Sequence, residues 1–172
     1  MKLNEVHIKG FKSFDNEAGV SVPLGPVTVL LGANGSGKSN LVSFFKLLNA
    51  LGKGKLQSYL GYRGVNRVLY YGQKTTSAVS FRLGFSSDAD DTGLFYAATL
   101  SRARENRLQV STEDVSLRRG GERLLSAGLA RDADESGLQE GVREHPELAE
   151  LAGYLKGVHV YQFHDTSDTA RI

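Results

Sequence analysis

The chain has 172 residues, of which 40% are hydrophobic and 23% charged, with a formal net charge of +2. That is the balance of one ordinary globular domain, and no apolar run approaches the roughly 18 residues a membrane span requires. No cysteine is present, which excludes disulfides, zinc-thiolate sites and thiol nucleophiles. Met1-Lys2-Leu3-Asn4-Glu5 leads into no apolar signal core, so a cytoplasmic location is expected. Charge is unevenly spread: residues 1–67 hold nine Lys or Arg against three Asp or Glu, and residues 131–150 hold two against seven. The basic half suits a polyanion, nucleotide or nucleic acid, and suits a solvated surface equally well.

In chain order, Leu3 to Lys9 alternates loosely and predicts an edge strand, and Val20 and Val22 before Pro23 predict a second short one. Leu24-Gly25-Pro26 is a tight connection into Val27-Thr28-Val29-Leu30-Leu31, an apolar β-branched run that predicts a buried strand. Next comes Gly32-Ala33-Asn34-Gly35-Ser36-Gly37-Lys38-Ser39, which reads G-x-x-x-x-G-K-S, the pattern of a Walker A phosphate loop. Its glycines let successive N–H groups turn inward toward phosphate oxygens. Lys38 is the candidate for the β- and γ-phosphates, and Ser39 for Mg²⁺. Leu41, Phe44, Phe45, Leu48 and Leu51 then recur at helical spacing, so the helix N-terminus faces the loop, and Gly52 closes the helix.

Gly52 to Gly64 predicts an exposed crossing, and Arg67 to Thr76 closes it. Val79, Phe81, Leu83 and Phe85 alternate with Ser80, Arg82 and Gly84, a half-buried strand. Leu94 to Arg102 and Leu108 to Leu117 supply two more candidates, giving an antiparallel meander. Residues 118–141 carry five glycines among charges without a sustained period and predict a mobile insertion with a short helix. Pro146 opens a helix with Leu148, Leu151, Ala152 and Leu155 on one face. Gly157 stops it, and Val158 to Phe163 predicts a last strand ending in His164-Asp165-Thr166-Ser167.

The run I-K-G-F-K-S-F (residues 8–14), followed by G-P-V-T-V-L-L-G-A-N-G-S-G-K-S-N-L (residues 25–41), resembles the N-terminus of the RecF/SMC-like branch of ABC-type AAA family ATPases. Y-G-Q-K-T-T, F-R-L-G-F and the ending Y-x-F-H-D-T-S resemble predicted bacterial ATP-binding proteins related to RecF and to the overcoming-lysogenization-defect ATPases. The resemblance implies an α/β fold: a P-loop NTPase core, the N-terminal lobe of an ABC-ATPase head, with an attached antiparallel β-subdomain. Residues 1–172 then divide into a P-loop core with its N-terminal strands (1–60), the β lobe (64–117), the insertion (118–141) and a helix, strand and Q-loop-like end (142–172). It implies ATP and Mg²⁺ as cofactors. Asn34, Gly35, Ser36, Gly37, Lys38, Ser39 and Asn40 would bind the nucleotide, with Asn34 beside the γ-phosphate, and Lys12 and Ser13 near adenine, ribose or α-phosphate. His164, ahead of Gln162 and Asp165, is the Q-loop candidate and joins Lys38 as the catalytic pair.

A complete P-loop ATPase also needs an acidic pair closing a second buried strand, and ABC-type heads need a signature segment near L-S-G-G-Q. No acidic pair qualifies, and Leu125-Ser126-Ala127-Gly128-Leu129 is read as an accidental likeness to the signature. The chain therefore reads as the first half of a head. The rest would come from a missing C-terminal half or a second subunit, with a homodimer as the implied state of the intact protein and DNA as a partner through it. Two functions stand: an ATPase serving DNA repair or defence, or a nucleotide-binding sensor without turnover. A nucleotide kinase is a weaker third, opposed by the antiparallel lobe.

Overall fold

The computed structural model describes residues 1–87, 91–103 and 107–161. Six strands form one sheet: β1 (Lys2–Lys9), β2 (Val20–Pro23), β3 (Ala78–Ser87), β4 (Thr92–Arg102), β5 (Leu108–Arg119) and β6 (Glu122–Ala133). Their order is β2-β1-β3-β4-β5-β6, and every pairing is antiparallel. Period-two alternation sends Val79, Phe81, Leu83 and Phe85 of β3 to one face, with Leu94, Tyr96, Ala98 and Leu100 of β4 beside them.

Helix α1 (Lys38–Gly52) lies on that face. Its Phe44 packs edge-on against Phe11 at 5.7 Å and Phe81 at 5.3 Å between ring centroids, and Leu41, Leu47, Leu48 and Leu51 are buried around it. Three further helices complete the layer: α2 (Leu56–Arg63), α3 (Leu138–Glu144) and α4 (Ala149–Gly157), the last preceded by a 3₁₀ turn over Pro146–Leu148. Leu148, Leu151, Ala152 and Leu155 are buried as their spacing predicts. Asn49 of α1 donates to the carbonyls of Leu155 and Lys156, at 3.1 and 2.8 Å, satisfying C-terminal acceptors of α4 that no helical N–H can reach.

Five expectations are corrected. Leu3 to Lys9 is not an edge strand, because β1 lies between β2 and β3. Gly52 to Gly64 is not an exposed crossing, because Leu56–Arg63 forms α2 with Leu56 and Leu60 buried. Val27 to Leu31 lies in no strand and is not buried: Val27, Val29 and Leu31 are 84%, 72% and 89% exposed. The composition is that of a strand covered on both faces, but among the described residues no strand lies beside it. Residues 118–141 are not a mobile insertion: most belong to β6 and α3. The mask on the pattern is register, since β5 and β6 slip at Glu113/Asp114 and Leu117/Arg118, which breaks the alternation of β6. Finally, Val158 to Tyr161 forms no strand, and Gln162, His164 and Asp165 lie outside the described residues.

Buried polar contacts hold β6 and α3 in place. Glu113, fully buried on β5, accepts from the Tyr96 hydroxyl at 2.5 Å and the Ser136 hydroxyl at 2.6 Å, and from the Gly137 N–H at 2.7 Å. Burial first, and then the Glu113 carboxylate, hold the Tyr96 hydroxyl well above its ordinary range. One residue earlier, Glu135 accepts the N–H groups of Leu56 and Gln57 at 2.6 and 3.0 Å, so the connection from β6 caps the start of α2.

Candidate nucleotide site

The glycine-rich segment enters α1 through Gly37, which stands at the N-cap with φ of 95°. A Cβ there would lie 3.1 Å from Phe14 Cε1 and 3.4 Å from Ser13 Oγ, so both the turn and the neighbouring loop call for glycine. The Gly37 carbonyl accepts from Asn40 and Leu41 at 2.9 and 3.0 Å, starting the helix, and Ser36 N–H reaches the Ala33 carbonyl at 3.2 Å. The loop thus curls back on itself ahead of the helix.

Lys38 occupies the inside of that curl. Its Nζ donates to the carbonyls of Gly32 at 2.6 Å and Ala33 at 2.7 Å, and to Ser36 Oγ at 3.2 Å. Asn34, Gly35, Ser36 and Ser39 are exposed around it. The result is a cation, hydroxyls and the N-terminal N–H groups of a 15-residue helix converging on one surface, which chemically suits a polyanion.

Lys12 and Ser13 are brought to the same helix. Asn40 Nδ2 donates to Ser13 Oγ at 2.7 Å, and Lys12 Nζ to Ser43 Oγ at 2.9 Å, while Ser43 Oγ donates to the Ser39 carbonyl at 2.9 Å. Lys12 also lies 5.9 Å from the Phe11 ring centroid. A cavity of about 610 Å³ opens beside Lys12 and Asn40, and its far wall is the segment Asn66 to Lys74. Backbone bonds fix the two walls against each other: Lys12 N–H to the Val68 carbonyl at 2.8 Å, and Tyr70 N–H to the Gly10 carbonyl at 2.9 Å. Of that far wall the sequence singled out Tyr71 to Lys74, within Y-G-Q-K-T-T, by resemblance alone, and nothing marked Asn66, Arg67 or Leu69 as lining a site.

A second cavity, of about 670 Å³, lies between Val42 and Phe45 of α1 and the segment Gly157 to Tyr161, with Tyr154 on its rim. Among the described residues no group of three His, Asp or Glu side chains is placed to hold a metal ion. A divalent cation at this site would depend on the Ser39 hydroxyl and on the anion it accompanies.

A family model for the AAA ATPase domain matches residues 1–91. The chain belongs to the AAA ATPase domain family. No curated protein matches it. Among solved structures, this AAA ATPase domain is similar to one described under the structural biochemistry of ATP-driven dimerization and DNA-stimulated activation of SMC ATPases. The two share 18% identity over 94% of this chain and 87% of that one, with a TM-score of 0.52. It also matches an SMC head bound to the C-terminal winged-helix domain of ScpA, at 20% identity and a TM-score of 0.45, and the SMC head domain from Thermotoga maritima, at 22% and 0.37. Each of these two aligns with 73% of this chain, which spans only 37% and 39% of their lengths. The fold is that of an SMC-type ATPase, an α/β P-loop NTPase architecture with an antiparallel sheet. Membership in this family implies nucleotide, typically with Mg²⁺. No helix of the described residues is long and apolar enough to cross a membrane.

Proposed function

We propose that the AAA ATPase domain binds Mg-ATP through residues 32–40, acting as a Walker A loop. The observation that carries this reading is the placement of Lys38, whose ammonium is already surrounded by oxygen acceptors inside the loop. Phosphate oxygens would take over from the Gly32 and Ala33 carbonyls, exchanging neutral acceptors for charged ones and so shortening and strengthening the bonds. Asn34 and the N–H groups of residues 35–39 would line the β- and γ-phosphates, and Asn40, Ser13 and Lys12 would stand on the nucleoside side. Mg²⁺, held by Ser39 and the phosphates, would draw charge off the terminal phosphoryl group.

Turnover requires more than this loop, since it also needs a carboxylate to position the attacking water. Val27, Val29 and Leu31 leave apolar surface uncovered directly before the loop, and Val42, Phe45 and Val158 to Tyr161 leave more beside it. This surface suits the strands of a C-terminal half, on the same polypeptide or a second one, which would bring the acidic pair. The SMC ATPases it resembles in fold are described by ATP-driven dimerization and DNA stimulation. By that likeness we infer that the completed head pairs with a second copy when ATP is bound, and that DNA is the partner on which closure acts. His164 would serve the Q-loop role in that assembly, and the cytoplasm is where such a protein would work.

The experiment is Mg-ATP binding by calorimetry alongside phosphate release, for the unaltered chain and Lys38→Ala. Binding that Lys38→Ala abolishes is the expected result. Undiminished binding by the variant would refute the loop assignment. Binding without release favours the second reading, a nucleotide sensor, for the chain on its own.

A further inference from the structure

The glycine-rich loop is folded onto its own lysine. A lysine ammonium has three hydrogens to donate. Three acceptors of the loop itself answer them: the Gly32 carbonyl at 2.6 Å, the Ala33 carbonyl at 2.7 Å and Ser36 Oγ at 3.2 Å. The Ala33 carbonyl takes a second donor, the Ser36 N–H at 3.2 Å, which draws Ser36 over the same turn. Packing there is close, since a Cβ on Gly32 would stand 2.7 Å from Ser36 Oγ. At the tip, by contrast, a Cβ on Gly35 would meet nothing within 4 Å. The loop is tied at its base and unconfined at its tip.

A polyanion asks for the opposite polarity. Phosphate oxygens are acceptors, so a loop that holds them turns N–H groups inward. Here two carbonyls and a hydroxyl oxygen point inward around the cation instead. Carbonyl and phosphate oxygens carry charge of the same sign and compete for one ammonium, so both sets cannot fill the inside of the loop together. The backbone at Gly32 and Ala33 has to withdraw its carbonyls before phosphates take their place. One segment thus has two exclusive arrangements, each with Lys38 satisfied, which is the physical basis of a two-state element.

We propose that the closed loop is an autoinhibitory latch: Lys38, bound to Gly32, Ala33 and Ser36, holds the empty loop shut, and nucleotide enters only after the latch opens. The inference rests on the phosphate-loop reading above and adds the control of that site. Apparent affinity is then the intrinsic affinity reduced by the fraction of loops that are open. At high ligand concentration, association runs at the speed of opening, which belongs to the protein and not to the ligand.

The test is stopped-flow mixing of the unaltered chain and Ser36→Ala with rising concentrations of Mg-ATP and Mg-ADP, each carrying a fluorescent N-methylanthraniloyl group. With the unaltered chain, the observed rate should approach a ceiling, and the ceilings for the two ligands should agree within about twofold. Ser36→Ala removes one of the three acceptors and leaves the backbone ones in place. Its ceiling should be about two- to tenfold higher, the range of one net hydrogen bond. Rates that climb in proportion to concentration throughout, or ceilings that differ between the two ligands, overturn the latch while the loop reading stands. So does a Ser36→Ala chain that binds with an unchanged ceiling. If that variant does not fold, which circular dichroism reports, the comparison of the two ligands on the unaltered chain still decides. Failure of the unaltered chain to bind either ligand overturns the loop reading, and this inference with it.

Discussion

Replacing Glu113 by leucine removes the single acceptor that ties β4, β5 and the connection after β6 together. Three donors converge on its carboxylate, from Tyr96, Ser136 and Gly137, at 2.5 to 2.7 Å. A hydrogen bond to a charged acceptor contributes about 1.5–3 kcal/mol net, and a buried donor left alone costs about 1–3 kcal/mol. Ser136 and Gly137 are only half-buried and can turn to water, whereas Tyr96 is completely enclosed. Leucine also escapes the cost of burying a charge, so the three contributions do not add in full. The expected loss is about 3–4 kcal/mol, which for a chain of this size lowers Tm by roughly 6–15 °C. Urea unfolding followed by circular dichroism measures the loss, and amide exchange localises it to residues 122–144. The double variant Glu113→Leu with Tyr96→Phe should recover about 1–3 kcal/mol, because no hydroxyl is then stranded. A loss below about 1 kcal/mol, or two substitutions that simply add, would refute the assignment of this network as the anchor of β6 and α3.

Two further outcomes follow from local geometry. Gly37→Ala places a Cβ on a backbone with φ of 95° and 3.1 Å from Phe14, so it should cost about 1–2 kcal/mol or more and weaken Mg-ATP binding at least about tenfold. A calorimetric titration equal to that of the unaltered chain would contradict it. Asp15 accepts from the N–H groups of Glu17, Ala18 and Gly19 at 2.9, 2.7 and 3.0 Å, and these bonds, that of Gly19 foremost, hold its carboxyl below the ordinary aspartate value. A depressed carboxyl stabilises the fold fully above the unfolded value and ceases to do so as pH falls through the lower folded one. The stability gap between the unaltered chain and Asp15→Asn should therefore be constant above about pH 5 and close as pH falls below the ordinary aspartate range. A gap that persists at pH 2 would contradict the linkage.

Much of this molecule can be read from its residues because local pattern and tertiary role coincide. Val79 to Phe85 alternates and becomes β3, and Leu41, Phe44, Leu48 and Leu51 recur at helical spacing and bury the face of α1. The loop at residues 32–39 was legible because its glycines and Lys38 allow few other geometries, whereas the bond from Asn40 to Ser13 beside it was not foreseen. Val27 to Leu31 misled for the opposite reason: burial depends on what covers a segment, and composition reports only what the segment could tolerate. The strand Glu122–Ala133 was hidden by two register slips that place Leu125 and Ala130 inward five residues apart. Tyr71 falls in Y-G-Q-K-T-T, which marked a resemblance but not a place, and Asn66 carries no pattern; a backbone bond between Tyr70 and Gly10 folds this distant segment against the loop.

The uncovered valines and leucines ahead of the glycine-rich loop also govern how this polypeptide behaves in a tube. Apolar, β-prone residues outside any ladder recruit one another between molecules, with no proline or charge from Val27 to Leu31 to interrupt the contact. Purified alone, the chain should cluster as its concentration rises, through one short stretch rather than through general unfolding. Lysine at Val27 and Leu31 would disperse the clusters and leave the hydrophobic interior beneath α1 unchanged.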